Sequence, residues 1–196
     1  MIGTPIRRCW LLGLLLATSA GQAGNEVALL DEARRVATSV PPRLLAVLQQ
    51  EIAQGGLEGA IVACRDTAPE LARTASAESG WAIRRVSLRN RNPAAVPDTW
   101  ERAILEEFDR RAAAGESPAA LERGETVTED GHPVFRYMRA LPTQELCLGC
   151  HGTVERISPS VRSRLAALYP DDRATGYEVG DIRGAITLRR PLPASE

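Results

Sequence analysis

Two absences limit what this chain can do. It contains no lysine, and its 24 basic residues, all arginines, are scattered without the dense block that is typical of nucleic-acid binding. We therefore expect no nucleic-acid partner. Beyond residue 23 there is also no run of about 20 apolar residues, the length that a helix needs to cross a bilayer. We expect no transmembrane span in the mature chain.

Cysteine and histidine are scarce as well, with four and two residues. Only Cys147 and Cys150 have the C-x-x-C spacing. Zinc sites usually take their ligands from two such spaced pairs, and no second pair is present. A thioredoxin-like redox pair belongs in a βαβ unit, and no such pattern surrounds these residues. A zinc site and a thioredoxin-like redox pair are therefore both disfavoured.

A histidine follows the pair at once, so the stretch Cys147–His151 reads C-x-x-C-H, the attachment sequence of a c-type haem. Two thiols add across the two vinyl groups of one porphyrin, and a tight helical turn sets their separation. The imidazole of His151 then lies under the iron as its proximal ligand. We predict one covalent haem c, attached at Cys147 and Cys150 and ligated by His151.

The N-terminus has the three parts of a secretory signal peptide. Arg7 and Arg8 form a basic region, residues 10–17 are apolar, and residues 18–23 are small and polar. The apolar run is too short to cross a bilayer, so we predict a cleaved signal peptide over residues 1–23.

Cleavage fits after Ala20 or Ala23, and Cys9 leaves with the signal in either case. Export to the periplasm fits the haem motif, because c-type haems are attached outside the bacterial cytoplasmic membrane. Cys64 is then the one thiol of the mature chain that the haem does not use, and an odd thiol in an exported protein asks for an explanation.

Residues 24–196 are long enough for one domain with its own core. Apolar residues recur at helical spacing over residues 24–56, which predicts N-terminal helices divided at Pro41–Pro42 and ended at Gly55–Gly56. These helices either pack on their own domain or form a homodimer.

The remaining segments predict helices and antiparallel strands in alternation. An apolar stretch that includes Cys64 leads to a helix ending near Glu78, and the alternation of the next strand slips after Ile83. Asp98 and Glu101 form an acid-capped variant of the capping box. The predicted elements are a strand over Trp81–Leu88, a helix from Asp98 to about Ala114, strands over Glu122–Glu129 and Val134–Leu141 around an Asp130–Gly131 turn, a helix over Pro159–Leu168 and a strand over Asp181–Arg190. This order indicates an α+β fold.

Several motifs together resemble one family, the c-type haem-binding PAS-like domains, long carried as a domain of unknown function. The most specific are Leu88–Pro93, which reads LRNRNP, and Cys147–Gly152, which reads CLGCHG. The others are Ala60–Cys64 with Ala68–Pro69, Asp98-x-Trp100-Glu101, Phe135–Tyr137, Tyr169–Tyr177 and Gly180–Gly184. The resemblance covers nearly all of the mature chain, with Ala95 where the family commonly has asparagine.

The resemblance implies a PAS-like antiparallel sheet with flanking helices and one covalent haem. It also implies that Cys64 is the second axial ligand. Histidine and methionine also bind haem iron. His132 is expected in a solvated hairpin turn, and Met138, on a strand, remains the alternative to Cys64 as second ligand. Coordination to iron makes a thiolate in an apolar setting tolerable.

Members of such a family occur as lone exported proteins and as sensory parts of histidine kinases, which implies a redox or small-ligand sensor. The partner is then an unknown redox protein or membrane signalling protein. A periplasmic electron carrier is the alternative, and a haem enzyme of sulfur-compound oxidation is less favoured, because no convergent acid, base and nucleophile is present. Arg89 and Arg91 are candidates for contact with the haem propionates.

Overall fold

The computed structural model describes the backbone of residues 18–193 and the side chains from residue 24. The basic and apolar parts of the predicted signal peptide, with Cys9, lie outside the described residues. A long helical element, α1 (Thr18–Ser79), comes first and is interrupted at Gly56, where φ is 66° and ψ is −169°. Within the described residues, no helix combines the length and the apolar character needed to cross a membrane.

A four-stranded antiparallel sheet forms the centre of the fold. Its strands are β1 (Ala82–Val86), β2 (Glu122–Glu129), β3 (His132–Pro142) and β4 (Ile182–Pro191), in the spatial order β1-β4-β3-β2. The hairpin turn between β2 and β3 is Asp130–Gly131, where both φ angles are positive, as a type I′ turn requires. The α+β class and the antiparallel sheet are confirmed.

Three further helices connect the strands: α2 (Thr99–Ala113), α3 (Leu148–His151) and α4 (Pro159–Leu168). The capping box at the start of α2 is confirmed, because the Asp98 carboxylate accepts from the Glu101 N–H and the Glu101 carboxylate accepts from the Asp98 N–H. Ser158 caps α4 through the Val161 N–H. Local hydrogen-bonding chemistry therefore fixes where these helices begin.

The predicted break at Pro41–Pro42 is wrong, and the apolar stretch that includes Cys64 is itself part of the helix that follows Gly56. Pro41, Pro42 and Pro69 all lie inside α1, and Gly56 alone has non-helical angles. Each proline removes one backbone hydrogen bond, but the neighbouring turns are held by packing, since Ala37 and Ala75 are buried against the sheet. Tertiary burial therefore outweighs the local preference of proline.

The sheet is covered on both faces. On one face α1 packs closely, because Gly124 leaves room for Leu30, whose Cδ1 would lie 2.7 Å from a Cβ at that position. On the other face α2 buries Ile104, Leu105 and Phe108. The core against α1 consists of Leu29, Ala33, Ala37, Ala75, Trp81, Ile83, Phe135, Tyr137, Ile186 and Leu188. The buried residues of the sheet therefore fall into a core on the α1 side and a core on the α2 side.

Glu122 attaches α1 to the sheet. Its carboxylate accepts hydrogen bonds from Arg34 at 2.6 Å, from the Tyr137 hydroxyl at 2.7 Å and from Arg139 at 3.1 Å. The hydrogen bond from Arg34 is the main reason why the pKa of Glu122 is lowered. One carboxylate thus joins a helix to two strands.

Replacing Glu122 by glutamine is expected to lower the free energy of unfolding by about 1–2 kcal/mol at neutral pH, since it weakens charge-assisted hydrogen bonds. Because the pKa of Glu122 is lower in the folded state, its contribution is present above the ordinary value of 4.5 and is lost as the pH falls below it. Chemical denaturation at several pH values should therefore show a difference that shrinks in acid. Glu145→Gln, at an exposed carboxylate 71% accessible, is the control; equal effects of the two changes would refute the role of Glu122.

Candidate cofactor site

A cavity of about 690 Å³ lies between α1 and the sheet. This volume is within the range of about 300–1,000 Å³ that is usual for pockets that bind small molecules. Cys64, Cys147 and His151 all line it, although they come from α1, the turn before α3 and α3 itself. The fold thus brings three of the four residues predicted to hold a haem to one cavity, whereas Cys150 packs with a cluster that includes Ile61 and Val161.

The C-x-x-C-H stretch forms a tight turn that depends on its glycines. A Cβ at Gly149 would lie 2.8 Å from the Cδ1 of Leu57, and a Cβ at Gly152 would lie 2.6 Å from the Leu148 carbonyl oxygen. Leu57 is the first residue of α1 after the interruption, so α3 packs directly on that part of the helix. Burial raises the pKa of Cys150 to about 11, which keeps this side chain a thiol at neutral pH.

His151 is buried and has a defined orientation. Its Nδ1 lies 2.6 Å from the carbonyl oxygen of Ala174, and we assign the ring proton to this nitrogen because a carbonyl can only accept. Burial, followed by the positive charges of Arg183 and Arg91, holds the pKa of His151 well below its ordinary value. The ring is therefore neutral, and its Nε2 carries the lone pair that a metal requires. In this structure that nitrogen lies 3.4 Å from the Nη1 of Arg91.

Ala174, whose carbonyl accepts the hydrogen bond from His151, is itself held in place. Asp172 accepts a hydrogen bond from the Ala174 N–H at 2.8 Å and another from the Arg91 Nε at 2.9 Å. Arg91 also donates to the Cys150 carbonyl at 2.6 Å, which ties the loop to α3. Arg91 and Asp172 retain only 9% and 11% of their side-chain exposure. They form a nearly buried ion pair behind the histidine.

Cys64 lies in the part of α1 that follows Gly56, and its side chain is half-buried at the cavity wall. Burial is the main cause of a raised pKa, and the charges of Arg183, Arg85 and Arg91 oppose it. Without a metal this thiol is therefore protonated at neutral pH. A cation in the cavity would favour the thiolate.

Of the other predicted residues, Met138 and His132 lie outside the cavity, whereas Arg89 and Arg91 line it. Met138 is fully buried beneath α2, packed with residues such as Phe108, and is not among the residues that line the cavity. His132 is exposed at the hairpin turn. Arg89 lies at the cavity but stacks on the ring of Tyr177 at 4.2 Å, and Arg91 is already paired with Asp172. The contact of Arg89 and Arg91 with propionates remains a prediction.

Sequence reasoning missed two groups of residues. The loop Asp172–Ala174 belonged to a motif of the resemblance but had no assigned role, and no local signal connects it to His151. Arg85 and Arg183 also line the cavity. Arg85 lies on the same side of the chain as Trp81 and Ile83, the side that faces α1. The break in the apolar alternation after Ile83 is therefore explained by a charged residue on a buried face.

The chemistry of the cavity walls fits a haem. One wall is apolar and comes from α1, whereas the opposite wall carries arginines. A haem has an apolar ring and two carboxylates, so both walls have a match. The apolar wall includes Val40, Pro41, Leu44, Leu45 and Leu48, and the cationic wall includes Arg85, Arg91 and Arg183. Among the described residues, no group of three or more His, Cys, Asp or Glu could hold a bare metal ion.

Comparison with known proteins bears on the family and the fold of the chain. A family model described as Tll0287-like matches residues 18–191. The crystal structure of the cyanobacterial haem protein Tll0287 is similar over 93% of this chain and 100% of that one, with 24% sequence identity and a TM-score of 0.55. No curated protein matches the sequence. The family match confirms the resemblance seen in the motifs, and the structural match confirms the fold.

Replacing Arg91 by glutamine is expected to lower the free energy of unfolding by about 3 kcal/mol, because it leaves the Asp172 carboxylate nearly buried without its partner. Arg173→Gln is the matched control, since that side chain is exposed in the same loop and makes no side-chain hydrogen bond among the described residues. Denaturation curves of the two variants measure the difference. Similar curves would show that the ion pair does not hold the loop.

Proposed function

The chain belongs to the Tll0287-like family, and on that basis we propose that it is an exported mono-haem c-type protein in which His151 and Cys64 are the two axial iron ligands. Cys147 and Cys150 attach the porphyrin. Each thiol adds across one vinyl group, with its hydrogen going to the other vinyl carbon, so the attachment needs no oxidant.

One observation supports the proposal most directly. The hydrogen bond from His151 to the Ala174 carbonyl leaves Nε2 unprotonated, with its lone pair available to a metal, on a residue that lines the same cavity as Cys64 and Cys147. Metal-bound histidines usually donate their other ring nitrogen to such a carbonyl or carboxylate. Met138, the alternative second ligand, lies beneath α2, which favours Cys64.

We further propose that the protein senses a redox change or a small ligand. A bound haem supplies an iron that changes its charge and binds small ligands such as CO and NO. Cys64 belongs to α1 and would hold the iron as a thiolate; without the metal its side chain would be a protonated thiol, because burial raises its pKa. The helix after Gly56 carries both Cys64 and Leu57, the residue that packs on Gly149. A change at Cys64 therefore acts on the contact between α1 and α3.

The same proposal implies where the protein is located and what kind of partner it has. Attachment of a c-type haem outside the cytoplasmic membrane agrees with a periplasmic location and a cleaved signal peptide. A membrane signalling protein or a redox partner would receive the signal, and the N-terminal helices offer a homodimer contact. We propose no catalytic activity.

Protein purified from cells that mature cytochromes is expected to carry the mass of one intact haem, which remains after denaturation. Replacing both Cys147 and Cys150 by alanine should remove this mass, whereas Cys64→Ala should keep it. Intact-mass spectrometry and the haem absorbance of the denatured chain measure the result. A parent protein without the added mass would refute the proposal.

The ferric absorption spectrum of the same Cys64→Ala protein is expected to differ from that of the parent. Met138→Leu is the control, because it replaces a core side chain by one of similar volume away from the cavity. A spectrum that changes only in the Met138 variant would assign the second ligand to methionine.

The sensor role predicts that hydrogen exchange of residues 57–79 increases when the haem is reduced or when NO is added. Exchange in α2 serves as the internal control, since α2 packs on the opposite face of the sheet. Hydrogen-exchange mass spectrometry reads both regions in one sample. Unchanged exchange in residues 57–79, with an unchanged haem spectrum on addition of NO, would instead identify an electron carrier.

A further inference from the structure

Three arginines that line the cavity have no acidic partner among the described residues: Arg85, Arg183 and Arg89. Arg89 is exposed and stacks on the ring of Tyr177. Arg85 makes no side-chain hydrogen bond or ion pair there, and the Nη1 of Arg183 lies 3.2 Å from the His151 Nδ1, whose proton is already donated to the Ala174 carbonyl. Their neighbours differ: Arg84 pairs with Glu101, and Arg136 pairs with Asp98. The cavity wall therefore contains two partly buried positive charges, on Arg85 and Arg183, that no acidic residue of the described chain neutralises.

The backbone brings these two charges together. Arg85 lies on β1 and Arg183 at the start of β4, and the two strands are paired. At Gly184 φ is 137°, and a Cβ there would lie 2.2 Å from the Val86 carbonyl oxygen, so only glycine permits this close approach. The glycine is thus required where the two arginines come to the same wall.

Such an arrangement costs free energy when nothing is bound. Like charges repel, and partial burial removes water that would otherwise solvate them. Arginine keeps its positive charge in proteins, so both guanidiniums are cationic at neutral pH. Arg91, which also lines the cavity, is already neutralised by Asp172. An anion from outside the chain is the missing partner of the other two.

The rest of the cavity restricts what this anion can be. The facing wall is formed by the apolar side chains of Leu44, Leu45 and Leu48 of α1. A ligand that satisfies both walls has a large apolar body and carboxylates at one edge. Arginine is well suited to carboxylates, because its planar guanidinium can donate two parallel hydrogen bonds.

We propose that Arg85 and Arg183 bind the carboxylates of the haem, so that the cofactor completes a charge arrangement that the apoprotein leaves unbalanced; this inference rests on the proposed function. The two residues are positioning residues. They orient the porphyrin against the apolar wall, and their positive charge disfavours the additional charge of ferric iron.

The first test is the midpoint potential of the haem-bound Arg85→Gln, Arg183→Gln and double variants. Removing a cation near the iron stabilises the ferric state, so each variant is expected to have a lower potential than the parent. A carboxylate that has lost its arginine also titrates at higher pH, so the difference from the parent changes with pH. Arg123→Gln removes the same charge from an exposed side chain outside the cavity wall and should leave the potential unchanged.

The second test compares stability with and without haem. In the full-length apoprotein, made without cytochrome maturation, Arg85→Gln and Arg183→Gln are expected to raise the free energy of unfolding, because they remove an unpaired charge. In the haem-bound protein the same changes should lower it. This reversal of sign is not expected of arginines with a merely structural role, which would destabilise both forms when replaced.

The outcomes separate the inference from the proposal on which it rests. If the parent carries no haem, both fail. If the parent carries haem but the variants match Arg123→Gln in potential and stability, only the role of Arg85 and Arg183 is refuted. If phosphate or acetate stabilises the haem-bound parent but not the variants, and the potentials stay equal, the pair binds a small anion from solution and the inference is also refuted.

Discussion

The hydrogen bond between His151 and the Ala174 carbonyl is the interaction on which the candidate site depends. It fixes the orientation of a buried imidazole and decides which ring nitrogen carries the proton. Asp172 accepts hydrogen bonds from the Ala174 N–H and from Arg91, and Arg91 also donates to the carbonyl of Cys150. A loop that is distant in sequence from the C-x-x-C-H turn therefore determines what that turn can bind.

The long helix contributes the other half of the site. Glu122 and the close packing at Gly124 hold the first part of α1 on the sheet, and the part after Gly56 carries Cys64 to the cavity. The apolar wall comes from the same helix. Because one element provides an anchored region, an interruption and a candidate ligand, a chemical change at Cys64 has a structural route to the rest of the chain.

Features of the fold and the site were predictable where the residues that determine them are close together in the sequence. The haem motif, the capping box at Asp98 and the hairpin turn at Asp130–Gly131 follow from residues a few positions apart, and the structure places the helix and turn where expected. The prediction at Pro41–Pro42 was wrong because burial of α1 against the sheet, which the local sequence does not reveal, outweighs the lost hydrogen bonds. The role of Asp172 could not be predicted, since it depends on a contact with Arg91 across 81 positions.

The central proposal is that the His151 imidazole and the Cys64 thiolate would both bind one haem iron in this cavity. Iron K-edge X-ray absorption fine structure of the oxidised, haem-bound protein tests it most directly, because sulfur and nitrogen scatter differently. The account predicts five nitrogen neighbours and one sulfur neighbour, with the sulfur absent from the Cys64→Ala protein. A first shell without sulfur in the parent, or a sulfur that persists after Cys64 is replaced, would contradict it.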